Sequence, residues 1–250
     1  MHDVVDALDA AAGTTCLVGA GGKKTTLYVL ADRLDRAVLT ATVRIPIFDR
    51  EVAAVRVTDD PVGALEAAGI KTKSEADDAF PLGLVPERER DDRYRGYDPA
   101  IVDDLAAAHD GPVLVKADGA RTRLLKAPDE REPQIPAGAD RVIPVASVGA
   151  VGEPLTAEVV HRPERVAAIT DAEVGDEITP ELVGRVLADE LGGLKDVPPD
   201  ATAIPLINAV DDAADEAIAR SVARVVHARA DVPRVVLARM IAGEVVDVVE

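Results

Sequence analysis

The chain has 250 residues, and its 46 Asp and Glu against 28 Lys and Arg give a formal net charge of −18. Such an acidic surface repels phosphate backbones and anionic lipid headgroups, which argues against binding to nucleic acid or to a membrane surface. Hydrophobic residues make up 48% of the chain, enough to bury a core, and this excludes a disordered acidic chain.

The finer composition indicates a protein from a salt-adapted organism. Asp outnumbers Glu by 29 to 17, only seven residues are Lys, and Trp is absent. Dense carboxylates keep a protein hydrated at high ionic strength. Residues 1–6 lack the positive stretch and apolar core of a signal peptide, and no apolar run approaches the roughly 20 residues of a membrane helix. We therefore predict a cytoplasmic protein.

Short apolar runs alternate with helical patterns along most of the chain, which is typical of parallel strands joined by helical crossovers. Buried strands are predicted at residues 15–18, 37–42, 112–117, 141–145 and 203–207. Helices are predicted where apolar residues recur at 27, 30, 31 and 34, and at 61–68, 99–109, 180–191 and 213–228. Residues 234–237 and 244–249 are predicted as a terminal strand pair. The pattern indicates one α/β domain over residues 1–250.

Two local features refine this pattern. Cys16, the single cysteine, lies in the first apolar run and is predicted to be a buried strand residue rather than a nucleophile. Residues 71–98 carry a dense charge run with scattered Pro and Gly, so we predict a mobile, charged insertion there.

The strongest functional signal lies between the first strand and the first helix, in the run Gly19-Ala20-Gly21-Gly22-Lys23-Lys24-Thr25-Thr26. Glycines let successive N–H groups converge on an anion, and the helix N-terminus adds partial positive charge. A lysine neutralises the outer phosphates, and a threonine hydroxyl can ligate Mg²⁺. The run predicts a phosphate-binding loop, and with it a three-layer, phosphate-loop NTPase-like fold with a mostly parallel sheet and helices on both faces.

The run departs from the common G-x-x-x-x-G-K-[ST] pattern, since Leu17 stands six positions before Lys23 and Lys24 separates Lys23 from Thr25, but it fits a shorter G-x-x-G-K-x-T pattern. The second lysine leaves two registers open. In the common loop a Ser or Thr follows the phosphate lysine directly. If Lys23 contacts the phosphates, Lys24 stands in that place and the hydroxyl of Thr25 or Thr26 is displaced from it. If Lys24 does, Thr25 follows it directly, but Gly22 comes one place too early. A plain Gly-rich turn with two exposed lysines is the alternative to both.

A second signal is Asp118, which follows the apolar strand at 112–117. Phosphate-loop proteins place a carboxylate at such a strand end, beside the Mg²⁺ of the nucleotide, which it contacts directly or through water. We therefore predict Thr25 and Asp118 as Mg²⁺ ligands and Lys23, Lys24 and Asp118 as the catalytic residues, with ATP or GTP as the nucleotide. An ordinary Asp-Gly turn is the alternative for Asp118.

Cations cluster after Asp118, although the chain as a whole is acidic. Arg121 and Lys126 are candidates for contact with the phosphates or an anionic substrate, or else for ion pairs with Asp129, Glu130 and Glu132. His161 and Arg162 precede a proline, so they are predicted in a loop, either contacting substrate or hydrogen-bonded within the protein. The histidines show no metal-ligand spacing.

A stretch after the strand at 203–207 offers a base-recognition candidate. Asn208 and Asp211 stand in an N-A-V-D pattern that resembles the guanine-reading N-K-x-D motif, with Ala209 in place of the lysine. An Asp carboxylate can accept hydrogen bonds from two guanine N–H groups. The alternative is that both residues form a turn and a helix cap.

Taken in order, these motifs resemble the YqeC-type selenium-dependent hydroxylase accessory proteins. The resemblance spans most of residues 14–211 and rests on the loop, the run at 38–46, the A-D-G-A-R, L-K-A-P and E-P-x-I-P block, and V-H-R-P-E at 160–164. It implies a phosphate-loop nucleotide-binding protein that helps to mature the selenium- and molybdenum-containing cofactor of hydroxylases. Its implied partners are a selenium-dependent molybdenum hydroxylase or other cofactor-maturation proteins. Two departures are the extra Lys24 and Lys116, which stands where the family commonly has an acidic residue.

Two main hypotheses follow for the function. The first is an NTP-dependent enzyme that hydrolyses the nucleotide or transfers a phosphoryl or nucleotidyl group. The second is a nucleotide-gated chaperone that delivers the cofactor without significant turnover of its own, with residues 71–98 as its docking region. A small-molecule kinase or ligase of the phosphate-loop class is a third.

Overall fold

The computed structural model describes residues 2–67 and 79–250. The strands are β1 (Thr14–Gly19), β2 (Val38–Ala41), β3 (Ile45–Pro46), β4 (Ala54–Val57), β5 (Leu82–Val85), β6 (Arg93–Tyr94), β7 (Val113–Lys116), β8 (Leu125–Lys126), β9 (Arg141–Ser147), β10 (Val160–His161), β11 (Thr202–Ala203), β12 (Leu206–Asn208), β13 (Val235–Arg239) and β14 (Glu244–Val249). The helices are α1 (Val4–Ala7), α2 (Lys23–Arg33), α3 (Pro61–Ala67), α4 (Pro99–Ala107), α5 (Pro163–Thr170), α6 (Pro180–Ala188) and α7 (Ala213–Arg229). Two short 3₁₀ turns, Val148–Ala150 and Met240–Ala242, follow β9 and β13.

One ten-stranded sheet organises the chain. Its order is β14-β13-β12-β9-β1-β7-β2-β5-β4, with β11 beside β9. All of its pairs are parallel except β13 with β14. Since parallel strands end at the same edge, the loops after β1, β7, β9 and β12 meet there, with β1 near the centre.

Helices cover both faces of the sheet, because its central strands are apolar on both sides. On one face, Leu17 of β1 packs in a core with Leu27 and Leu30 of α2. On the other, Cys16 and its neighbours pack against α4, and a further core joins α6 and α7 to β12 and β13. The predicted three-layer α/β fold, with a mostly parallel sheet and helices on both faces, is confirmed.

Local signals start several helices where the sequence places them. Thr179 accepts a hydrogen bond from the N–H of Leu182 at 3.2 Å, and Pro180 opens α6. The predicted end at residue 191 is wrong, since α6 ends at Ala188, where the chain becomes extended at Asp189. Cys16 is fully buried in β1 as predicted, and burial raises the pKa of its thiol.

The prediction of a mobile, charged insertion at 71–98 is wrong for residues 82–85, which form the buried strand β5 between β2 and β4. The strand has only four residues, and the charge run begins two positions after it. The sequence pattern was therefore dominated by the charges, and the strand was not predicted. Around that run, the side chain of Arg44 pairs with Glu89 at 2.5 Å. The backbones of Arg90 and Arg93 form an isolated antiparallel β-bridge. Residues 71–78 of the predicted insertion lie outside the described residues.

Two further predictions need correction. The strand expected at 203–207 is split into β11 and β12 around Pro205, which lacks the N–H that a continuous ladder requires. His161 lies in β10 beside β8 rather than in a loop. Of the helices described, not one combines the length and the apolar character needed to cross a membrane.

The net charge of −18 predicts a stability that depends on salt. Repulsion between carboxylates is screened as the Debye length falls from about 10 Å at 0.1 M to about 3 Å at 1 M salt. We expect the melting temperature to rise by roughly 5 °C or more between 0.1 and 2 M KCl, as measured by circular dichroism. NaCl should raise the melting temperature by a similar amount. A melting temperature that does not change with the concentration of either salt would contradict the expectation.

Candidate phosphate-binding site

The loop between β1 and α2 has a backbone shape that only glycine adopts easily. Gly19, Gly21 and Gly22 have φ values of 87°, 78° and 144°. A Cβ atom on Gly19 would lie 2.3 Å from the carbonyl oxygen of Val145, and one on Gly22 would lie 2.1 Å from Asn208 Nδ2. The glycines therefore allow the loop to lie directly against its neighbours.

The loop leaves a row of N–H groups free. Gly19 donates to Asp118 Oδ2 at 2.8 Å, Ala20 to the Val145 carbonyl at 2.8 Å, and Gly21 to the Arg123 carbonyl at 2.9 Å. The next four N–H groups, at residues 22–25, have no partner among residues 2–67 and 79–250. They open α2, where the helix dipole is positive, so they form a site suited to phosphate.

A buried cluster of two lysines and two carboxylates lies beside this loop. Lys23 Nζ is 2.7 Å from Asp118 Oδ1, and it also donates to the carbonyl of Gly19. Lys126 Nζ is 2.9 Å from Asp118 Oδ2 and 2.7 Å from Glu132 Oε2. We call these four residues the lysine–carboxylate cluster. It fixes the ends of β7 and β8 against the loop.

Electrostatics in the cluster favour the charged form of the carboxylates. Burial alone would raise the pKa of Asp118, but Lys23 and Lys126 overcome this effect and hold the pKa below its usual range. The pKa of Glu132 is also lowered, because the effect of its burial is outweighed by Lys126. Burial lowers the pKa of Lys23, and Asp118 opposes that shift.

The geometry distinguishes between the two lysine registers. Lys23 is the first residue of α2, is 5% exposed, and its ammonium group closes the loop onto Gly19. Lys24 is half-buried and forms no ion pair with any described residue. This arrangement favours the first register, with Lys23 as the phosphate lysine. Thr26 donates its hydroxyl to the Gly22 carbonyl at 3.2 Å, so Thr25 has the remaining hydroxyl.

Comparison with known proteins bears on the same segment. The family model described as "YqeC protein" matches residues 15–164. The chain belongs to the YqeC family. It is 29% identical over 209 residues to a protein of Escherichia coli (strain K12) named "Uncharacterized protein YqeC", over 82% of this chain and 78% of that protein. No solved structure matches it. The segment matched to the YqeC model holds the loop and the whole lysine–carboxylate cluster.

Of the two predicted Mg²⁺ ligands of this YqeC-family site, Asp118 does not fit direct coordination in this arrangement. Asp118 Oδ2 accepts hydrogen bonds from Gly19 and Lys126. Oδ1 forms no hydrogen bond, but it lies 2.7 Å from the Lys23 ammonium group, so a metal ion there would meet a cation. Within the part of the chain that the structure describes, no group of three or more His, Cys, Asp or Glu could hold a metal ion.

The predicted substrate residues have different surroundings. Lys126 is in the cluster, whereas Arg121 is exposed. Arg162 pairs with Glu132 at 2.9 Å and with Asp129, so it extends the cluster by ion pairs. Burial, helped by Arg162 and Lys126, lowers the pKa of His161 to about 4. His161 is therefore neutral at pH 7 and able to accept a hydrogen bond.

Asn208 supports the loop instead of standing free to meet a base. Its Nδ2 donates to the Gly21 carbonyl at 2.7 Å, and its Oδ1 accepts from the N–H of Met240 at 2.9 Å. Asp211 is exposed, and it is Asp212 that caps α7. The guanine contact predicted for Asn208 is therefore replaced by a structural role, while the Asp211 carboxylate faces solvent.

Two residues of the site were not predicted as functional from sequence. Glu132 was considered only as an ion-pair partner, although it accepts from Lys126 and from the N–H of Gly119 at 3.1 Å. Lys116 is 6% exposed and donates to the Arg44 carbonyl at 2.8 Å. Burial, reinforced by Lys23, lowers its pKa to about 7. The scarcity of lysine in the chain was the available signal for Lys116.

Substitution of Asp118 tests how far the cluster stabilises the fold. Asp118→Asn removes the only carboxylate of the cluster beside Lys23 and one of the two beside Lys126. Because an uncompensated buried charge is costly, we expect a loss of about 3 kcal/mol or more in unfolding free energy, measured by denaturant titration. The matched control is Asp92→Asn, since the Asp92 side chain is 70% exposed and 3.4 Å from Arg93. Equal stabilities for the two variants would contradict the role assigned to the cluster.

Proposed function

We propose that the protein binds a nucleotide, ATP or GTP, by its phosphates at the start of α2. The observation that carries this proposal is the row of four free N–H groups at residues 22–25, closed on one side by the buried ammonium group of Lys23. These groups make the site locally positive, so it favours an anion although the chain as a whole has a net charge of −18.

In this proposal the loop, Lys23 and Asp118 have separate roles. The loop N–H groups hold the phosphates, and Lys23 turns from Asp118 toward them and stabilises the charge that develops during transfer. Asp118 stays charge-balanced during this movement, since Lys126 lies 2.9 Å from its other oxygen. Asp118 therefore acts as the resting partner of Lys23 and holds the ammonium group beside the loop.

We further propose that this nucleotide-dependent protein assists, in the cytoplasm, the maturation or insertion of the selenium- and molybdenum-containing cofactor of hydroxylases. Support for this pathway comes from the family resemblance alone. A turnover enzyme and a nucleotide-gated chaperone both fit the site. The rate of phosphate release, with and without a selenium-dependent hydroxylase, separates them, because a chaperone hydrolyses slowly until its partner binds. A small-molecule kinase or ligase would instead need an acceptor substrate for turnover.

Nucleotide binding is tested by calorimetric titration of ATP and GTP, side by side, in high salt with Mg²⁺ present. A charge-assisted hydrogen bond contributes about 1.5–3 kcal/mol, so Lys23→Ala should raise Kd by roughly 10- to 100-fold. Lys24→Ala should have a smaller effect, and Lys195→Ala, which removes a lysine paired with Asp196 outside the cluster, should have none.

Two results would count against the proposal. The first is a wild-type protein that binds neither nucleotide. The second is a larger loss from Lys24→Ala than from Lys23→Ala, which would transfer the phosphate contact to the second register. Asp211→Ala tests the base, because loss of a GTP preference in that variant alone would assign guanine recognition to its exposed carboxylate.

A further inference from the structure

The residue directly after the phosphate lysine differs from the common pattern. In the common phosphate loop that residue is Ser or Thr, and its hydroxyl ligates the Mg²⁺ that accompanies the nucleotide. Here Lys23 occupies the lysine position, since its ammonium group closes the loop onto Gly19 and Asp118. The next residue is Lys24. A positively charged side chain therefore stands where a metal-binding hydroxyl is expected.

Neighbouring hydroxyls do not restore the metal ligand. An ammonium group has three donors and no acceptor, so Lys24 cannot coordinate Mg²⁺. Thr25 is one residue further along α2, a rotation of about 100° around the helix axis. The Thr26 hydroxyl is already engaged with the Gly22 carbonyl. When Lys23 turns to the phosphates, Asp118 Oδ2 remains engaged by Lys126 and by the N–H of Gly19, so the site lacks the hydroxyl ligand of the common loop and has one carboxylate oxygen already occupied.

The site has positive charge of its own in place of a metal ion. Three buried lysines, Lys23, Lys116 and Lys126, lie around only two carboxylates, Asp118 and Glu132. Lys24 adds a further charge that no described carboxylate pairs with, and the start of α2 adds about half a charge. The excess remains even when Lys116 is neutral.

We propose that Lys24 takes the place of the metal ion, so that the site binds a nucleoside triphosphate without Mg²⁺. The inference rests on the proposed function and specifies its ligand as the metal-free nucleotide. The Lys24 ammonium group neutralises the phosphate charge that Mg²⁺ neutralises in the common loop. Lys23 keeps its own phosphate contact, so the two adjacent lysines have separate roles.

The test compares nucleotide affinity in the presence of Mg²⁺ and in an excess of EDTA, by calorimetry on the full chain. For the wild type, we expect the Kd in EDTA to lie within about threefold of the Kd in Mg²⁺. Lys24→Thr restores the Lys-Thr pair of the common loop, so its affinity in EDTA should fall about tenfold or more, and Mg²⁺ should recover most of the loss. Lys24→Gln removes the charge without adding a hydroxyl, so Mg²⁺ should recover less.

Controls keep the outcomes distinct. Thermal melting verifies that each variant is folded, and Lys195→Thr should bind like the wild type in both conditions. Wild-type binding that disappears in EDTA would overturn the inference and leave the proposed function standing. A Lys24→Thr variant that binds as tightly as the wild type in EDTA would also overturn it. Absence of wild-type binding in both conditions would overturn the proposed function, and the inference with it.

Discussion

A single buried carboxylate holds the site together. Asp118 is 1% exposed, and it contacts the ammonium groups of Lys23 and Lys126 and the N–H of Gly19. These partners belong to the start of α2, to β8 and to the end of β1, so one side chain joins three separate segments. Two cations and an N–H group offset the cost of burying the charge, and the contacts fix where the loop lies relative to β7.

The parallel sheet makes this arrangement possible. Because β7 pairs with β1, with Lys116 opposite Leu17, the residue two positions later emerges beside the loop that follows β1. On the other side of β1, β9 supplies the Val145 carbonyl that accepts from Ala20. The amide of Asn208 then supports Gly21 from the end of β12. The loop is thus shaped by contacts from three neighbouring strand ends, and a ligand meets N–H groups already in place.

What the sequence could predict follows from how far apart the interacting residues lie. The strand–loop–helix unit at 14–33 and the N-terminal cap of α6 are local patterns, so residue type and spacing were sufficient for them. The partners of Lys23 and Asn208 were not predictable in this way, since Asn208 contacts a residue 187 positions away. Asn208 also fits a base-reading sequence pattern, but its side-chain amide is occupied by contacts with Gly21 and Met240. Strand β5 was missed for a different reason, because a strand of four residues, one of them glycine, is too short a signal beside a charge run.

The choice of lysine over arginine at the site has a physical reason. The chain has 21 Arg and seven Lys, and of the five lysines that the structure describes, four lie at the loop or beside the cluster. Lys126 is fully buried and reaches Asp118, Glu132 and the Gly119 carbonyl, which satisfies all three donors of a compact ammonium group. The planar fork of arginine could not point at three acceptors around one point. Arginine forms most of the exposed pairs, such as Arg44 with Glu89, and joins the cluster only from outside through Arg162, so four of the five described lysines mark the anion site within an acidic chain.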